Sequence, residues 1–153
     1  MIIKTVKWNK KLCVAILLAL GVILAAIVLL SGVQSRAKNT GNKAAKSNAE
    51  RVAYLAELGW EVKPEPVEQR EIVIPREFSG VFENYNELQK QQGFDLKRYA
   101  GKSATLYSYE VTNYPSSDVV LADLYIINNR VVAGDIHSTA LDGFMHTLKA
   151  DKK

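Results

Sequence analysis

The sequence predicts an α+β protein. One N-terminal transmembrane helix leads into a two-layer domain with helices on one face of an antiparallel sheet, in the order α-β-α-β-β-β-α. Three observations carry this prediction. Leu12 to Leu30 is a run of nineteen residues without a charge. Ser47 to Gly59 supplies the cap, apolar stripe and stop of a helix. The last third consists of alternating and β-branched runs separated by turn residues.

At about 1.5 Å per residue, nineteen helical residues reach roughly 28 Å, close to the ~30 Å hydrocarbon thickness of a bilayer. The run holds no Pro and nothing polar beyond Cys13. It is apolar all round, unlike a one-faced core helix, and Trp8 precedes it where an indole suits the headgroup layer. The apolar stretch of a signal peptide is shorter, about 7–15 residues. Ser35-Arg36-Ala37 offers a small-residue cleavage pattern, so a cleaved leader stands as the alternative to an uncleaved signal-anchor. Lys4, Lys7, Lys10 and Lys11 crowd the tail of residues 1–11, whereas Arg36, Lys38, Lys43 and Lys46 are spread along the downstream flank. Their density puts the amino terminus in the cytoplasm and the C-terminal domain outside the cell membrane.

The net charge of +4 belongs to the anchor. Beyond residue 11, sixteen basic residues meet sixteen acidic ones, and within Glu50 to Leu148 nine basic residues face fifteen acidic ones, a net of −6. Phosphate backbones repel such a domain, which argues against a nucleic acid partner. Cys13, the sole cysteine, lies in the apolar run, so the domain must be held by its core rather than by disulfides.

Residues 31–46, rich in Ser, Gly, Asn, Ala and Lys, read as a flexible basic linker with a reach of about 20–24 Å. The domain follows over residues 47–148, with 149–153 as a tail. Ser47-Asn48-Ala49-Glu50 has capping-box spacing. Ala49, Val52, Leu55, Ala56 and Leu58 form the apolar stripe, and Gly59 supplies a left-handed stop. Val67 to Ile74 reads as a strand closed by Pro75. Phe78, Val81, Phe82, Tyr85 and Leu88 recur at helical spacing, predicting a second helix over Glu77 to Gln92 that Gly93 ends. Asp95 to Lys102 is a connector anchored by Leu96 and Tyr99. Ala104 to Thr112 alternates as a strand with Thr105, Tyr107, Tyr109 and Val111 on one face and Leu106, Ser108 and Glu110 on the other. Asn113 to Asp118 is a turn by composition. Val119 to Ile127 and Arg130 to Ile136 are β-branched runs joined by Asn128-Asn129, residues that accept the positive φ of a two-residue hairpin. Leu141, Phe144, Met145 and Leu148 predict a short closing helix.

Gly59-Trp60-Glu61-Val62, Ile74-Pro75, Tyr85-Asn86-Glu87-Leu88-Gln89-Lys90, Gly93-Phe94-Asp95-Leu96, Tyr99-Ala100-Gly101-Lys102, Tyr109-Glu110-Val111, Asn113-Tyr114-Pro115, Gly134-Asp135-Ile136 and Leu141-Asp142-Gly143-Phe144 resemble an uncharacterised family of Gram-positive bacterial proteins. That family is a domain of unknown function behind a single transmembrane helix. The resemblance covers about Asn48 to Leu148; it implies membrane attachment in a bacterium and brings no catalytic residues with it. More loosely, a helix followed by an antiparallel three-strand meander is similar to PepSY-type modules, which bind or inhibit extracytoplasmic partners.

No catalytic signature and no cofactor motif stand in the sequence. The constellation with ligand chemistry is Asp135, His137, Asp142 and His146. The first two share one face of a strand and the last two lie four apart on the predicted closing helix. Two imidazoles and two carboxylates suit a divalent metal, but nothing in the sequence brings the two faces together. Ser138 beside His137 lacks the Gly-flanked elbow of a hydrolase nucleophile. Glu110 and Asp123 are paired carboxylates of the kind glycosidase chemistry uses, although carboxylates on strands usually just form the wet face. Tyr99, Tyr107, Tyr109, Tyr114 and Tyr125 suit either sugar stacking or, more simply, cross-strand pairing. The leading reading is a membrane-tethered module that contacts the lipid bilayer through Leu12 to Leu30 and binds an envelope protein or peptide. The competing reading is a metal-dependent or hydrolytic cell-envelope enzyme.

Overall fold

Five strands follow one another across a single antiparallel sheet: β1 (Glu68–Val73), β2 (Ser103–Val111), β3 (Val120–Ile127), β4 (Arg130–Ser138) and β5 (Met145–Thr147). Helix α1 (Asn48–Glu57) precedes β1, and helix α2 (Val81–Gln91) with a 3-10 turn (Leu96–Tyr99) connects β1 to β2. This is a computed structural model, and it describes residues 43–149. The apolar run Leu12 to Leu30, the basic tail, residues 31–42 and residues 150–153 lie outside the described residues. Among the described residues no helix is long and apolar enough to cross a membrane.

Local chemistry sets the element ends. The Ser47 hydroxyl accepts from Glu50 N–H while the Glu50 carboxylate accepts from Ser47 N–H, which is the capping box the sequence predicts. At the other end of α1, Gly59 (φ +97°) donates to Ala56 and Trp60 donates to Leu55. Gly93 (φ +91°) and Phe94 repeat the pattern behind α2, donating to Lys90 and Gln89. Both ends are Schellman motifs, whose left-handed residue favours Gly. Asn128 (φ +50°) and Asn129 (φ +61°) form the tight turn between β3 and β4.

Four expectations are corrected. The closing helix is a strand: Met145–Thr147 pairs with Asp135–His137 on β4. Leu141-Asp142 makes a turn that Gly143 N–H closes on the Ala140 carbonyl, Leu141 is fully exposed, and the open edge of β4 gains a partner that a lone helical turn could not supply. The helices do not share a face. Tyr54 and Leu55 of α1 join Tyr109, Ala122, Leu124 and Ile136 in one core cluster, whereas Tyr85 of α2 and Leu96 of the 3-10 turn pack with Ala104, Tyr125 and Ala133 in another, on the opposite side of the sheet. The reason is that β3 and β4 are buried almost continuously rather than at alternate residues, so both faces need cover. Helix α2 begins at Val81 instead of Glu77, behind Gly80. Finally, the end of the predicted flexible linker is tied down. Ala44 bridges Arg130, Ala45 donates to the Asn129 carbonyl and is 1% exposed, and Lys43 bonds Glu57.

Candidate functional site

The α2 side of the sheet carries two adjoining features, an apolar groove and a cluster of carboxylates with a histidine. Pairing register fixes their arrangement. Arg70, Leu106, Tyr125 and Ala133 form one row across β1 to β4. Glu68, Ser108, Asp123, Asp135 and Thr147 form the polar row next to it.

Helix α2 has an unusual division of labour. Its fully buried side chains are polar, Asn86 and Gln89. They are buried because they serve backbone groups. Asn86 accepts from Leu96 N–H at 2.8 Å, and Gln89 accepts from Gly134 N–H at 3.0 Å. Just beyond the helix, Gln92 donates to the Gly134 carbonyl at 2.7 Å and accepts from Leu148 N–H at 2.9 Å. These amides stand in for a strand partner where β5 ends. The apolar residues of α2 are left outside: Val81 is 82% exposed and Phe82 48%. With Ile72, Ile74, Leu88 and Leu106 they line a groove of about 520 Å³. Val73 and Met145, both more than half exposed, stand at its rim. The edge strand β1 runs beside the groove, and no strand pairs with its outer side among the described residues.

The polar cluster borders this groove through two tyrosines. Tyr85 lines the groove and its hydroxyl donates to Asp135 Oδ2 at 2.5 Å, while its ring sits 6.0 Å from that of Tyr125. Asp135, 1% exposed, holds His137 Nδ1 at 2.9 Å from its other oxygen. Asp123 faces Asp135 directly across β3 and β4, and ligand atoms of Asp123, Asp135 and His137 all lie within 4.8 Å of one another. A single-residue bulge creates this juxtaposition. The tight turn pairs Ile127 with Arg130 and Ile126 with Val131, a register that by itself would set Asp135 against Ala122. The extra residue Val132 shifts the ladder and brings Asp123 opposite Asp135.

Burial, with the charges of Asp135 and Glu68 added, pushes the Asp123 carboxyl up to about 6 against the opposing Ser108 hydroxyl and His137. The hydrogen bond to Asp135, helped by the charge of Asp123, raises His137 although burial opposes it. Burial foremost, then the carboxylates of Asp135 and Asp123, moves Tyr125 up to about 12, and burial with Asp135 raises Tyr85 as well.

The four residues singled out from sequence therefore separate. Asp135 and His137 are joined. Asp142 is exposed in the turn before β5. His146 pairs with Ile136 and so lies on the other face of the sheet, with ring centroids 5.5 Å from Phe144 and 6.0 Å from Trp60, and its Nε2 is 3.2 Å from the Tyr114 hydroxyl. Asp123 takes the place expected of them, and register alone reveals it. Ser138 donates to Asp118 and accepts from Ala140 N–H, closing a turn. Glu110 is paired with Lys63 at 2.7 Å. The tyrosines form no exposed row. Tyr109 is fully buried and bonded to Arg51 and Asn48, and the Arg51 guanidinium lies 3.7 Å from the Tyr107 ring centre.

One protein family, described as a domain of unknown function (DUF4830), matches residues 54–136, the span from mid-α1 to β4 that includes Tyr85, Asp123 and Asp135. No curated protein matches the chain, and no solved structure does.

Proposed function

The chain belongs to the DUF4830 family of domains of unknown function, and from the geometry of its groove we propose that it is a peptide-binding module. The occupant is an extended, apolar segment of a partner protein. Its side chains enter the groove between α2 and the sheet, and its backbone lies along the free edge of β1. One observation carries the reading: α2 buries amides and turns Val81 and Phe82 outward into a groove beside an unpaired strand edge. Exposed apolar residues clustered around a concavity mark an interaction site far better than the same residues scattered singly.

Two anchors of the Leu or Phe class, at roughly 1.5–3 kcal/mol each, sum to about 3–6 kcal/mol and are largely offset by the cost of association, so with help from strand-edge hydrogen bonds the expected binding is weak. That is a suitable strength for a module working at a surface, where tethering raises local concentration. The uncharged run Leu12 to Leu30 behind four lysines supports such a tether, with the domain on the extracytoplasmic side and an envelope protein or peptide as partner. The reading assigns the domain no reaction.

The test is a displayed library of twelve-residue peptides panned against the full chain in lipid nanodiscs. Enriched peptides with apolar residues at alternate positions, whose binding is lost with Phe82→Glu and kept with Leu141→Glu, support the reading. Enrichment of charged or Pro-rich sequences, or binding indifferent to Phe82→Glu, overturns it.

A further inference from the structure

We propose that Asp123, Asp135 and His137 form a binding site for one divalent cation of the zinc class, independent of the groove. Three observations converge. The ligand atoms of the three side chains lie within 4.8 Å of one another, a spacing compatible with a shared ion. Asp123 and Asp135 are directly paired across two strands, where like charges repel, and a single imidazolium can neutralise only one of them. Asp123 Oδ1 is buried and finds no hydrogen-bond donor among the described residues, in a side chain only 8% exposed. A buried acceptor left unmade is costly. A closed network of protein groups would have supplied it with a donor, as Tyr85 and His137 supply Asp135.

The donor chemistry narrows the ion. One imidazole nitrogen with carboxylate oxygens suits zinc and its first-row neighbours better than calcium, which takes six to eight oxygens. Three protein ligands leave a coordination position for water. The surroundings resemble the support that metal ligands ordinarily receive. The Tyr85 hydroxyl holds Asp135 Oδ2 at 2.5 Å and leaves Oδ1 turned to His137. A metal needs a ring nitrogen of His137 and the carboxylates free of protons, so zinc competes with protons for the site and binds less tightly as pH falls. His146 and Asp142 have no part in the site.

Zinc chloride titrated calorimetrically into the chelator-treated full chain, with bound zinc counted after dialysis, tests this. The expected result is one zinc per chain. Asp123→Asn and His137→Gln, both close in shape to the native residue, should each weaken binding at least about 10–100-fold, the range already typical of losing an outer-shell partner. Tyr85→Phe should fall within that range, and His146→Gln should have no effect. At equal zinc concentration, zinc should raise the Tm of the wild type more than that of Asp123→Asn, while metal-free Asp123→Asn is no less stable than the wild type because the facing carboxylates are relieved. Three results overturn the proposal: no stoichiometric zinc, zinc retained by both Asp123→Asn and His137→Gln, or zinc lost with His146→Gln.

Discussion

Gly134 offers the sharpest test of how the sheet is built. A Cβ there would stand 2.5 Å from the Asp123 carbonyl oxygen and 2.6 Å from Leu148 Cδ1. Neither neighbour can retreat. The Asp123 carbonyl belongs to the β3–β4 ladder. Leu148 is fully buried, with its N–H held by Gln92 and its carbonyl accepting from Trp60 Nε1 at 2.7 Å. Overpacking a core by one methyl costs about 1–3 kcal/mol, and a backbone contact belongs at the upper end. Reduced freedom of the unfolded chain returns about 0.4–1 kcal/mol. Gly134→Ala should therefore lose about 2 kcal/mol, which for a domain of about 100 residues lowers Tm by roughly 8–16 °C. Thermal unfolding of the full chain followed by circular dichroism reads this directly. In a Leu148→Ala background one of the two clashes is gone, and the cost of Gly134→Ala should fall by about 0.5–1 kcal/mol. A Gly134→Ala protein within about 3 °C of the wild-type Tm would mean that β3, β4 and Leu148 are not packed as described.

Three further outcomes follow from the same geometry. Tyr109→Phe strips the buried Arg51 guanidinium of a 2.8 Å acceptor and Asn48 of a donor, so chemical denaturation should report a loss of about 1.5–3 kcal/mol. Asn129→Val forces a β-branched residue to φ +61° and should cost about 1–2 kcal/mol, whereas Asn129→Gly should cost nothing. At Asp95, burial opposes the charge but is outweighed by the Asn86 amide, the Lys97 N–H, Lys90 and Arg98, and its carboxyl lies below the ordinary value of 3.8. Its contribution is complete above the unfolded value and lost as pH falls through the lower folded one. Asp95→Asn should therefore flatten the acid limb of the stability–pH curve below about pH 4 and leave its neutral shape unchanged.

What could be read from the sequence was the chemistry of chain ends and turns. Ser47 with Glu50, Gly59 with Trp60, Gly93 with Phe94, and Asn128-Asn129 each act within a few residues, so composition and spacing suffice. What could not be read depends on partners far along the chain. Leu141, Phe144, Met145 and Leu148 repeat at a helical period, yet the free edge of β4 makes their segment a strand. Asn86 and Gln89 look like the wet side of a helix and are buried because Gly134 and Leu96 need their amides. The nearly unbroken apolar runs of β3 and β4 did carry a signal for cover on both faces. The carboxylate pair was hidden, since an unmarked bulge at Val132 decides that Asp123, rather than Ala122, meets Asp135.

The groove is the feature on which the proposed function rests, and photocrosslinking in the producing cells tests it most directly. A benzophenone side chain is placed at Phe82 in the full chain, at Val73 beside β1, and at Leu141, an exposed leucine outside the groove. A peptide-binding groove predicts one discrete adduct shared by Phe82 and Val73, mapping by mass spectrometry to an apolar segment of a single partner, and no such adduct from Leu141. Equal labelling from all three positions, or none from Phe82 and Val73, would contradict it.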